Sequence, residues 1–184
     1  MHVQEYLKVV LGGDFPEVPY FEMKKQFYTG LLETFKDEVL EKLKEDLLGI
    51  LVYGTPGERL EDISKKDIDI IVVVQDAAFN EKNKKDLSEI KKYIENHEEN
   101  IYKVKIDGAM LPKSDFEEKL RRIKGNSNLP IEICDINEWL TQYARTTPAH
   151  LLLPYYEKEN YLRRAVESAE PVKKPIETLG KYKF

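Results

Sequence analysis

The chain has 184 residues, 41% of them hydrophobic. That is enough for one domain that removes about 70% of its unfolded surface from water and needs no disulfide or structural metal to fold. With 29 Lys and Arg against 34 Asp and Glu, the formal net charge is -5, which argues against coating nucleic acid through a general electrostatic field while leaving room for small nucleotides at local sites.

A single cysteine, Cys134, excludes an internal disulfide, and the histidines, His2, His97 and His150, share no metal-ligand spacing, so a histidine or cysteine zinc site is not expected. No stretch approaches the roughly 20 apolar residues that span a bilayer. The start, MHVQEYLKVVLGG, mixes acids and bases where a signal peptide carries an unbroken apolar run. The expectation is a soluble cytoplasmic protein with no membrane partner.

Residues 2–11 read as a short helix ended by Gly12 and Gly13, and the stretch from Gly12 to Pro19 as a surface segment. From Tyr20 the pattern is helical: Phe27, Leu31, Phe35, Val39, Leu43 and Leu47 recur at four-residue steps, widened by Leu32 and Leu40. This predicts an amphipathic helix of about seven turns, ended by Gly49. The stripe reads as core, with a homodimer face as its alternative use. Ile50 to Tyr53 and Ile68 to Val74 are apolar runs suited to buried strands.

Residues 80–98 are expected to form a helix with Leu87, Ile90 and Ile94 on one face. In the strand that follows, Val104 and Ile106 point one way while Lys103, Lys105 and Asp107 point the other. Pro112 with Ser114 or Asp115 opens a helix striped by Phe116, Leu120 and Ile123 and closed by Gly125. Ile131 to Cys134 reads as a fourth strand, Asn137 to Arg145 as a helix, Thr147-Pro148 as a further helix start, and the tail after Glu170 as a loose surface segment. Two strands before the first crossover indicate an α+β fold with a mixed sheet. The expected division is N-terminal helices over residues 1–48, a core over 49–125 and a strand-and-helix extension over 126–184, all in one compact unit.

Chemistry concentrates between Leu51 and Val74. A buried strand runs into Gly54-Thr55, and a gap of eleven residues separates Thr55 from Asp67-Ile68-Asp69 at the entrance of the next strand. Alternation puts Asp67 and Asp69 on one face, where like charges raise each other's pKa and a hard divalent cation relieves them. The glycine lets backbone amides approach a phosphate chain, and the threonine hydroxyl donates to it. Together these read as a magnesium-nucleotide site. GTPGER lacks the lysine of a P-loop and the glycine spacing of a dinucleotide fingerprint.

Tyr53-Gly54-Thr55 followed by Asp67-Ile68-Asp69-Ile70 resembles the hallmark of the DNA polymerase beta-like nucleotidyltransferase superfamily, with Thr55 where serine or glycine is usual and Lys66 where serine is common. The likeness covers about Ile50 to Leu120 and fits the rest of the chain loosely. It implies a nucleotidyltransferase-like mixed sheet with helices packed on one face, plus N- and C-terminal helical additions. It also implies transfer of a nucleoside monophosphate, AMP by default, from ATP or another triphosphate to an acceptor hydroxyl.

In such a site Asp67 and Asp69 would bridge two Mg²⁺ ions about 3.5–4 Å apart, and Gly54 and Thr55 would grip the phosphates. A third acid on a following strand would complete the metal site and favour loss of the hydroxyl proton. Asp107 is the candidate and Asp135 its competitor, while Lys103 and Lys105 share the Asp107 face, either to meet phosphate or an acidic substrate or as lysines on a solvated edge. The acceptor is expected to be a small hydroxylated molecule or a protein side chain; a long nucleic acid is disfavoured by the acidic balance. The alternative is a non-catalytic module that keeps the fold to bind a nucleotide or a protein.

Overall fold

A computed structural model describes residues 20–53, 67–98, 100, 103–133 and 150–184. In chain order these form α1 (Tyr20–Leu43), β1 (Leu47–Tyr53), β2 (Asp67–Val74), α2 (Glu81–Asn96), β3 (Lys105–Pro112), α3 (Lys113–Asn126), β4 (Ile131–Ile133), β5 (His150–Glu157) and α4 (Tyr161–Ser168). The sheet order is β3-β2-β1-β5-β4. β1 is antiparallel to both β2 and β5, while β2–β3 and β5–β4 are parallel pairs. The fold is therefore α+β with a mixed sheet. None of the described helices is long and apolar enough to cross a membrane.

Helices cover both faces of this sheet, which corrects the expectation that they pack on one. Ile68, Ile70, Val72 and Val74 join Leu31, Leu32, Phe35, Val39 and Leu43 of α1 and Leu87, Ile90 and Ile94 of α2 in one core. Ile71, Val73, Ala109 and Leu111 join Phe116 and Leu120 of α3 and Leu162, Ala165 and Val166 of α4 in a second. The physical cause is legible in β2 itself: a run apolar at both parities presents oily surface on both sides, and each side needs a cover. The stripe of α1 from Leu31 onward is buried, as a core stripe should be; the side chain of Phe27 lies outside the described part.

Three further expectations change. The helix stops at Leu43, and Lys44 takes the left-handed conformation (φ 48°) that helix ends usually assign to glycine. Leu47 and Gly49 belong to β1, and Gly49 has a packing role, since a Cβ there would stand 2.8 Å from the Leu162 side chain.

Beyond Thr147-Pro148, which lies outside the described residues with Asn137 to Arg145, the chain forms a strand, β5, between β1 and β4. It contains Pro154, which lacks the N–H a ladder needs. The proline is accommodated where the β1–β5 register shifts between Ile50 and Leu51.

The tail after Glu170 runs over the surface but is fastened to α3. Val172 N–H donates to the Arg121 carbonyl at 3.0 Å, and the Lys119 and Arg122 side chains donate to the Glu177 and Pro175 carbonyls. The buried Tyr182 ring then sits beside Phe79, its hydroxyl donating to Asp115 at 2.7 Å.

Candidate functional site

β2 and β3 begin at the same end of the sheet, and their ladder opens Asp67 opposite Lys105, Ile68 opposite Ile106 and Asp69 opposite Asp107. Side chains alternate between faces, so Asp67, Asp69, Lys105 and Asp107 lie on the face whose later rungs, Ile71, Val73, Ala109 and Leu111, are buried with α3 and α4. Asp67 and Lys105 are exposed, and Asp69 and Asp107 half-buried. A one-residue slip of β2 would turn both acids toward the α1–α2 core, so burial of Ile68 and Ile70 maintains this arrangement.

The start of β3 is fixed by Asn100, the buried polar residue of the connection from α2. Its amide donates to the carbonyls of Glu95 and Val104 at 3.2 and 2.8 Å, and its side-chain oxygen accepts from Val104 N–H at 3.0 Å. Lys103, in the left-handed region at φ 53°, precedes the strand, so the alternation expected to set it beside Asp107 does not extend to it. On the outer edge of β3, Glu95 accepts from Ile106 N–H at 2.8 Å and Phe184 N–H donates to the Gly108 carbonyl at 3.2 Å, which covers an edge otherwise open to pairing.

Electrostatics mark Asp69 within the group. Burial pushes its carboxyl above the usual aspartate range, the charges of Asp107 and Asp67 push it further, and Lys183 opposes them. Sequence reading missed Lys183, whose ammonium forms an ion pair with Asp107. Nothing in the lysine-rich tail signals this contact, because it depends on an isolated antiparallel bridge between Lys183 and Ala109.

The structure thus brings Asp67, Asp69, Asp107 and Lys105 together. Tyr53, the last residue of β1, is the backbone partner of Asp69; Gly54, Thr55 and Asp135 lie outside the described residues. Among the described residues no group of three or more His, Cys, Asp or Glu is arranged to hold a metal ion as it stands. What Asp67, Asp69 and Asp107 do supply is the donor type, carboxylate oxygen, that a hard divalent cation takes. Compared with known proteins, the chain matches no family model, no curated protein and no solved structure.

Proposed function

We propose that the acidic end of the β2–β3 ladder is the site of a magnesium-dependent nucleotidyltransferase. The observation that carries this reading is the register that sets Asp107 beside Asp69, on the same face as Asp67. A strand pair entering the sheet antiparallel, then a helical crossover to a parallel strand, is also the arrangement by which a third carboxylate arrives next to an Asp-apolar-Asp pair.

In the proposed reaction an acceptor hydroxyl oxygen forms a bond to the α-phosphorus of a triphosphate, most simply ATP. The bond from that phosphorus to the β-phosphate oxygen breaks, and pyrophosphate leaves. Asp67, Asp69 and Asp107 would hold Mg²⁺, which supplies charge neutralisation of the phosphates and a lower pKa for the attacking hydroxyl. Asp107, the ladder partner of Asp69 on β3, is assigned the hydroxyl proton. Gly54 and Thr55, next in sequence after β1, are assigned the phosphates, and Lys105, exposed beside Asp67, the outer part of the anion. Most of the rate gain would come from placement and from charge held ready for the transition state. The acceptor is assigned only by class, as a small hydroxylated molecule or a protein side chain.

One observation favours the non-catalytic alternative: Lys183 already balances Asp107 with an internal charge. Calorimetric titration of ATP with and without Mg²⁺, on wild type and Asp69→Asn, followed by an acceptor screen with labelled ATP, separates the readings. Magnesium-dependent binding lost in the variant, with label transferred, supports the transferase. Binding without transfer to any acceptor favours the module, and absence of binding with all four triphosphates removes the nucleotide site.

A further inference from the structure

The C-terminal segment that carries Lys183 is built onto the sheet. Tyr182 is buried against Phe79 and hydrogen-bonded to Asp115. Lys84 donates to the Lys181 carbonyl at 3.2 Å. Phe184 lies over Gly108, where a Cβ would stand 2.2 Å from its ring. With the residues on either side of it seated, Lys183 bridges Ala109 and its side chain falls on the Asp67–Asp69–Asp107 face. The ion pair it makes with Asp107 is open to solvent, the Lys183 and Asp107 side chains being 36% and 43% exposed. It is therefore accessible to an ion that competes for the same carboxylate.

We propose that Lys183 is a built-in counter-ion of this face, bound to Asp107 in the metal-free protein and displaced when a divalent cation takes the carboxylate. This rests on the metal-site reading above and adds a residue and an exchange to it. The acidic rungs of β2 and β3 repel one another, and an ammonium delivered by the tail relieves that repulsion while no metal is bound. Binding of the metal then exchanges one partner of Asp107 for another and frees the ammonium at the rim of the site. The affinity for the bare ion is lower than the carboxylates alone would give. Partly exposed ion pairs are weak, so the exchange stays within reach of a divalent ion.

Mn²⁺ alone, titrated by calorimetry and by loss of its free-ion paramagnetic resonance signal, tests this on the full chain, with melting curves to show that each variant is folded. Lys183→Gln is expected to bind Mn²⁺ about three- to tenfold more tightly than wild type, and Lys183→Arg, which keeps the charge, to bind as wild type does. Equal or weaker binding by Lys183→Gln, alongside wild-type binding that Asp69→Asn abolishes, overturns the counter-ion role and leaves the metal site standing. Absence of Mn²⁺ binding in both wild type and Lys183→Gln overturns the counter-ion role and the metal-site reading together.

Discussion

Along the β2–β3 ladder, the rungs from Ile70 opposite Gly108 to Val74 opposite Pro112 are buried, whereas the opening rungs pair Asp67 with Lys105 and Asp69 with Asp107. The two strands share one burial pattern: exposed, buried, half-buried, then buried to the end. One end is covered by helices on both faces and contributes to stability through the area it removes from water. The other keeps exposed and half-exposed carboxylates next to each other, which costs stability and holds like charges on a rigid frame. The inner end is where the ladder is held in register, and the outer end is where that register can be used.

Removing buried volume at the apolar end should break this contrast most strongly. Met110→Ala leaves a cavity in the α1–α2 core, where Met110 is fully buried; the expected loss is about 2–5 kcal/mol. Urea unfolding should show it as a lower midpoint with an unchanged slope.

At the junction between the ends, Asn100→Ala strands the Val104 N–H and carbonyl that its side chain satisfies. A loss of about 1–3 kcal/mol is expected, with faster hydrogen exchange at Val104 and Ile106 than in β2. Gly108→Ala drives a methyl into the Phe184 ring. The ring is half-buried and swings aside more readily than a core side chain, so about 1 kcal/mol is expected, at the low end of overpacking. Its clearer signature is loss of exchange protection at the Phe184 amide.

The smallest effect has the opposite sign. Because Asp69 has a raised folded pKa, the folded chain binds its proton more tightly than the unfolded chain does. That contribution is fully present below the unfolded value of about 3.9 and is lost as pH rises through the raised folded value. At neutral pH without divalent ions, Asp69→Asn should therefore melt about 1–2 °C above wild type, after discounting for solvent screening. Below about pH 4 the difference should vanish. A variant that melts lower at neutral pH would show that the charged end is not under electrostatic strain.

Local pattern revealed much of the fold. The stripes of α1, α2 and α3 and the strands β1 to β3 follow from periodicity, and Asp67, Asp69 and Asp107 could be assigned to polar faces because alternation in a strand is a local rule. Other features were hidden for specific reasons. Leu47 continues the four-residue spacing of α1, so spacing alone extends the helix through it; burial in β1 claimed it instead. Thr147-Pro148 has the local look of a helix start, yet the chain beyond it forms β5, an inner strand that tolerates Pro154 at a register shift. Lys183 looked like any other lysine of a polar tail.

By itself, then, the sequence determined which segments are oily, at what period, and that an acidic pair guards the entrance of β2. Those are properties of neighbours along the chain, set by backbone geometry and side-chain polarity. Tertiary structure alone decided which helices cover the two faces of β2, that β3 lies parallel to it with Asp107 beside Asp69, and that the tail brings Lys183 back to that carboxylate. Each of these joins residues distant in sequence. The choice among such pairings is made by the total surface buried and the charges left facing one another, which no local window contains.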